Sequence, residues 1–130
     1  MKIYVDAETY KNGQEGQDTF IVVLKGNKIY KEHLGDKTCN EGELMAIYIA
    51  LDFAKDSDVI YSDSQLAVNL VNCIWKAHKK HLIPYVRQVR RKLMEKIVGV
   101  KWIPREENKA GIYIEDLQYG TKRITRQKTI

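Results

Sequence analysis

The chain opens with short apolar runs and then changes period. Residues 2–6, Lys-Ile-Tyr-Val-Asp, form a β-branched and aromatic run ending in an acid, which predicts a strand. Residues 7–18, with Asn12-Gly13 and Gly16, read as a polar connection, and residues 19–24 as a buried second strand. Lys25-Gly26-Asn27 marks a turn before a third strand at 28–34, so these three make an antiparallel meander. From Glu41 the spacing becomes helical: Leu44, Ile47, Leu51 and Ala54 share one side of a helix of about four turns, with Asn40 as its N-cap. Residues 58–63 return to strand. Residues 64–71 open a second helix capped by Asp63 or Ser64. After a polar link at 76–81, Leu82, Val86, Val89, Leu93 and Ile97 stripe a third helix, with Pro84 in its first turn. A last strand at 98–103 and a last helix at 108–119 follow.

The order β-β-β-α-β-α-α-β-α predicts an α/β fold: a mixed five-stranded sheet, three antiparallel strands and then parallel ones, with helices on both faces. The first strand should lie centrally, antiparallel to the second and parallel to the fourth. Ile3, Val5, Ile21, Val23, Leu44, Ile47, Leu51, Ile60, Val86, Val89, Leu93 and Trp102 are the expected core.

The 130 residues and 15.1 kDa fit one domain, expected over 1–119, and 44% apolar with 30% charged residues rules out a wholly disordered chain. Residues 120–130, with Lys122, Arg123, Arg126 and Lys128, read as a basic, disordered tail. Without an apolar run of membrane length or a signal sequence, the chain is expected to be a cytoplasmic monomer with no membrane partner. Cys39 and Cys73 have neither the spacing of a zinc site nor the number for a disulfide framework, and should be reduced. Charge changes the picture more. Residues 1–63 carry seven basic and twelve acidic groups, a net of −5, whereas 64–130 carry fifteen and five, a net of +10. One domain folded from such halves can set a carboxylate cluster beside a cationic surface, an arrangement suited to metal ions and a polyanion.

Asp6 and Asp63 each end a strand expected at the sheet centre. If those strands are parallel neighbours, both acids emerge from one edge roughly 5 Å apart in backbone, at the switch point where α/β sheets hold ligands. Glu43 lies on the first turn of the intervening helix, with Ile47 on its own face, an unusual orientation for a glutamate without a partner. Singly, these residues read as a turn acid, a helix-capping acid and a first-turn acid. Converging, they repel by on the order of 4 kcal/mol per pair at 4 Å and an effective dielectric of 20, and so require a cation. An oxygen-only ligand set selects Mg²⁺ or Mn²⁺.

Tyr4-Val5-Asp6, Asn40-Glu41-Gly42-Glu43-Leu44-Met45-Ala46-Ile47 and Ile60-Tyr61-Ser62-Asp63-Ser64-Gln65 together resemble the ribonuclease H family. The run from Val100 through Trp102-Ile103-Pro104-Arg105-Glu106-Glu107-Asn108-Lys109-Ala110 is similar to its closing strand and last-helix entry. The resemblance covers about residues 1–119. It implies a divalent-metal-dependent endonuclease that cleaves the RNA strand of RNA–DNA hybrids by a two-metal mechanism, leaving 5′-phosphate and 3′-hydroxyl ends. Asp6 would bridge both metals, with Glu43 and Asp63 as the other ligands. Asn40 would sit at the minor groove, where 2′-hydroxyls are displayed. Ser64 and Arg105, inside the matching motifs, join Asn40 as substrate-binding candidates. Arg87, Arg90 and Arg91 on the third helix, with Lys76, Lys79 and Lys80 before it, are candidates for phosphate contacts, or else a solvated face.

The sequence also departs from the family. A fourth carboxylate normally follows the Asn-x-Ala of the last-helix entry, whereas Gly111 stands here. Glu115, one turn on, is the candidate for its catalytic role, and Glu8 a second. Asp6-Ala7-Glu8 replaces the usual Asp-Gly-Ser, and the flexible histidine of many members is missing; His33, His78 and His81 read as surface residues. Gly111 therefore keeps two other readings open: a catalytically weak or inactive module that binds RNA–DNA hybrid or double-stranded RNA, and a nuclease for DNA.

Overall fold

A computed structural model describes residues 1–118. Strands β1 (Lys2–Tyr10), β2 (Asp18–Lys25) and β3 (Lys28–Gly35) form the meander; α1 (Cys39–Phe53), β4 (Val59–Ser62), α2 (Gln65–Val71), α3 (Ile83–Leu93) and β5 (Gly99–Trp102) follow. A 3₁₀ turn, Arg105–Glu107, leads to α4, which starts at residue 109 and runs to the end of the described residues. The sheet order is β3-β2-β1-β4-β5, with β1 antiparallel to β2 and parallel to β4, and β4 parallel to β5. This is the mixed sheet that the element order predicts. Among the described residues no helix is long and apolar enough to cross a membrane.

Alternation along β1 and β2 sorts side chains to two faces. Ile3, Val5, Ala7, Ile21 and Val23 join Ile60 and Val100 under α1, α2 and α3, with Leu44, Ile47, Leu51, Val86 and Val89 completing the main core. Val22 faces the other way and packs on Ala110 and Ile114 of α4. Asp6 pairs with Val22 and is fully buried. Gly42 allows α1 to approach the sheet: a Cβ there would lie 2.7 Å from Thr19 Cγ2 and 3.0 Å from the Ala7 Cβ.

Several boundaries differ from the sequence expectation. Residues 7–10 belong to β1, because their backbone pairs with β2 as far as Tyr10 opposite Asp18 despite their polarity. The N-cap of α1 is Thr38 rather than Asn40. Thr38 and Glu41 cap one another reciprocally, which satisfies two backbone N–H groups and starts the helix earlier. Trp102 is 44% exposed at the end of edge strand β5, where its indole N–H donates to the Asp63 carbonyl at 3.1 Å. Ile97 lies beyond the end of α3 and is exposed, while Lys96 beside it donates to the Leu51 and Ala54 carbonyls at the end of α1. The expected tail, 120–130, lies outside the described residues.

Candidate active site

Beyond Tyr4, paired with Tyr61, the parallel ladder between β1 and β4 ends, and β4 turns away through Ser62 and Asp63 toward α2. The three acids collect at this parting of central strands. Asp6 stands on β1, Asp63 just past β4, and Glu43 on the first turns of α1, with one carboxylate oxygen from each lying within 4.8 Å of the others. Asp6 is 0% and Glu43 5% exposed.

Both Asp6 oxygens and Glu43 Oε2 are buried without a hydrogen-bond partner. Burial raises the Asp6 carboxyl to about 7, helped by the negative charge of Asp63 and opposed by the Arg105 guanidinium. Glu43 is raised well above the ordinary carboxylate range, first by burial and then by the charges of Asp6 and Asp63. Orphaned oxygens in a crowd of like charge are the environment that a hard divalent cation would relieve, so the residues fit Mg²⁺ or Mn²⁺.

Asn108 organises one side. Its Nδ2 donates to the Val5 carbonyl and to Asp63 Oδ2, each at 2.9 Å, while its Oδ1 accepts from the Ala110 N–H. It thereby satisfies a β1 carbonyl beyond the β4 pairing, orients Asp63 and caps α4. Gly111 follows on α4. A Cβ at Gly111 would lie 3.2 Å from Asp6 Oδ2 and 3.6 Å from Asp63 Oδ2, so a side chain here would enter the cluster directly. Arg105 Nη1 approaches Asp63 Oδ2 at 3.8 Å, and its Nε approaches Glu115 Oε1 at 3.6 Å. Glu115 is half-exposed at Arg105 and is not among the three acids whose oxygens converge.

The other candidates are dispersed. Asn40 is half-buried on the first turn of α1. The Ser64 hydroxyl caps α2 by accepting from the Ala67 N–H. Arg87 and Arg91 are exposed on α3, as are Lys76, Lys79 and Lys80 before it. Arg90 instead turns inward, its Nε and Nη2 donating to the Leu70 carbonyl at 3.0 and 2.6 Å, and so ties α3 to α2. His33, His78 and His81 are exposed. A groove of about 700 Å³ lined by Met1, Lys25, Tyr30 and Phe53 lies at the opposite end of β1, and none of the three acids lines it.

In the sequence Asn108 stands out only as part of the motif entering the last helix. Its signal was a single amide at a helix entry, where both donors and the acceptor can be used at once. The sequence expects Arg105 among the substrate contacts; its juxtaposition with Asp63 and Glu115 depends on how the 3₁₀ turn folds back, which no spacing reveals.

The β3-β2-β1-β4-β5 sheet, with an acidic cluster where its central strands part, has the ribonuclease H-like fold. The RNase H family model matches residues 1–124, and the chain belongs to that family. Among solved structures, RNase H1 from the halophilic archaeon Halobacterium salinarum NRC-1 is similar at 22% identity and a TM-score of 0.73, over 90% of this chain and 96% of that one. The N-terminal RNase H domain of rv2228c from Mycobacterium tuberculosis is 19% identical with a TM-score of 0.72, over 99% and 97% of the two chains. LC11-RNase H1 in complex with RNA/DNA hybrid is 20% identical with a TM-score of 0.69, over 83% and 88%. That protein was isolated from compost by a metagenomic approach. No curated protein matches the chain.

The buried acids have a measurable consequence for stability. A carboxyl raised in the folded state holds a proton that the unfolded chain has released. Its contribution to stability is therefore present at low pH and is lost as pH rises through about 7 for Asp6, with Glu43 acting in the same direction. Asp58, lowered first by the Lys55 backbone N–H, acts oppositely, but only below the ordinary carboxylate range. Without divalent ions the chain is expected to melt higher at pH 5 than at pH 8, by roughly 3–10 °C. Saturating Mn²⁺ should narrow the difference from the alkaline side. Calorimetry at both pH values, with Mn²⁺ and with chelator, checks this.

Proposed function

We propose that this chain hydrolyses the RNA strand of RNA–DNA hybrids at Asp6, Glu43 and Asp63 with the aid of Mg²⁺ or Mn²⁺, leaving 5′-phosphate and 3′-hydroxyl ends. The observation that carries this reading is the set of buried oxygens on Asp6 and Glu43 with no partner, facing Asp63 at the parting of β1 and β4. A divalent ion, when bound, supplies Lewis acidity to the phosphoryl oxygens and makes water a nucleophile near neutral pH. The three carboxylates hold it, Asn108 fixes the Asp63 rotamer, and the half-exposed Arg105 offers its N–H groups to a phosphate. Asn40, at the rim on α1, addresses the 2′-hydroxyl side, and Arg87 and Arg91 with the lysines before α3 bind backbone phosphates. Support comes from membership of the RNase H family and from the hybrid in the complex of LC11-RNase H1.

Gly111 favours a second reading, a binding module for hybrid or double-stranded RNA that turns over slowly or not at all. End-labelled hybrid, double-stranded RNA and double-stranded DNA, each incubated with Mg²⁺, Mn²⁺ or chelator, separate the two. The hydrolytic reading expects metal-dependent cleavage of the hybrid RNA strand by the wild type and its loss in Asp63→Asn. Salt-sensitive binding in chelator with no cleavage under any metal would establish the module instead. Cleavage of DNA alone would reassign the substrate.

A further inference from the structure

We propose that Arg105 serves as a resident cation in the place of a second divalent ion, so that the Asp6–Glu43–Asp63 site takes one ion per chain. This rests on the hydrolytic reading above and concerns how its charge is balanced.

Position 111 faces both Asp6 Oδ2 and Asp63 Oδ2 and brings no carboxylate to them. Converging oxygens therefore come from three acids only, Asp6, Glu43 and Asp63, with the Arg105 guanidinium beside them. A second divalent ion beside Arg105 would meet its positive charge and, among the described residues, no fourth converging carboxylate. Carboxylates flank the guanidinium on both sides. Nη1 faces Asp63 Oδ2 at 3.8 Å and Nε faces Glu115 Oε1 at 3.6 Å. Glu115 stands one helical turn beyond Gly111 on the same face of α4, so the acid expected to reach inward instead holds the cation from outside. Arginine suits this place: it stays charged at every working pH and presents a planar fork matched to carboxylate and phosphate oxygens. Arg105 is 51% exposed on its side chain, which leaves donors free toward an incoming phosphate. Glu115 is thus a positioning residue, one contact removed from the cluster.

The test counts Mn²⁺ bound to the full chain by electron paramagnetic resonance of the free ion, with calorimetric titration for affinity. Wild type should bind one Mn²⁺ per chain. Arg105→Gln removes a neighbouring positive charge and should bind that ion five- to tenfold more tightly while hybrid cleavage falls at least tenfold; Arg105→Lys should restore the wild-type affinity. Gly111→Asp, which adds the missing carboxylate, should bind two ions. Two Mn²⁺ per wild-type chain, or an unchanged affinity in Arg105→Gln, would overturn the proposal while leaving metal-dependent hydrolysis standing. No Mn²⁺ binding by the wild type, with no cleavage, would remove the hydrolytic reading and this inference with it.

Discussion

Asp6→Asn is expected to lower hybrid cleavage by on the order of 10³-fold and, in the same preparation, to raise the melting temperature of the ion-free chain at pH 8. The two effects have one origin. Asp6 is fully buried with neither oxygen hydrogen-bonded, and its carboxyl is raised to about 7, so at pH 8 the folded chain carries a buried ionised group that the Arg105 guanidinium offsets only in part. Asparagine has nearly the same shape and no charge, and its amide N–H can donate to the orphaned Glu43 Oε2. Relief of a buried, unsatisfied group is worth about 1–3 kcal/mol, or roughly 3–10 °C at this chain length. On the proposed function the same change would remove a charged ligand and with it several kcal/mol of charge stabilisation in the reaction. Melting curves in chelator and initial rates in Mg²⁺ give the result. A lower melting temperature would mean that the Asp6 charge is compensated within the fold, and an unaltered rate would take Asp6 out of the chemistry.

Gly42→Ala sets helix propensity against packing. In an open helix, alanine in place of glycine stabilises by about 1 kcal/mol. Here the new Cβ would lie 2.7 Å from Thr19 Cγ2 and 3.0 Å from the Ala7 Cβ, both distances too short for carbon atoms. Thr19 has little freedom to yield. It is fully buried, and its hydroxyl is shared between Thr9 Oγ1 at 2.6 Å and the Lys37 carbonyl at 2.5 Å. The helix must therefore lift from β1 and β2. Overpacking of this kind costs about 1–3 kcal/mol and sometimes more, so packing prevails and the melting temperature should fall by roughly 3–8 °C. Glu43 is the next residue, and a displacement of its carboxylate near 1 Å would lower turnover by roughly 10²-fold. Thermal denaturation together with rates at saturating Mg²⁺ measures both. A stabilised and fully active Gly42→Ala chain would show that α1 can withdraw without moving the site.

The sheet was legible because β1 opens on a short apolar run, and β2 and β4 are such runs, with a period different from that of α1 and α3. The three acids were legible because each sits where such a run ends or where a polar residue interrupts a buried helix face. The misses share a different cause. Thr38 caps α1 through a reciprocal pair with Glu41, and both Thr38 and Asn40 satisfy the composition of a cap, so only geometry separates them. Trp102 carries the apolar bulk of a core residue, yet β5 is an edge strand and leaves it open. Arg90 has the same chemistry and helix as Arg87 and Arg91, but points back at the Leu70 carbonyl. For Glu115, distance along the helix suggested a reach toward the acids, while the charge of Arg105 draws it outward.

The amide of Asn108 joins groups that are remote in the chain, standing 103 positions after Val5 and 45 after Asp63. A ribosome delivers both of those long before Asn108 emerges. The nascent polypeptide therefore carries its acids without the clasp that aligns Asp63, and the geometry of the candidate site is completed only when the segment entering α4 settles across the finished sheet.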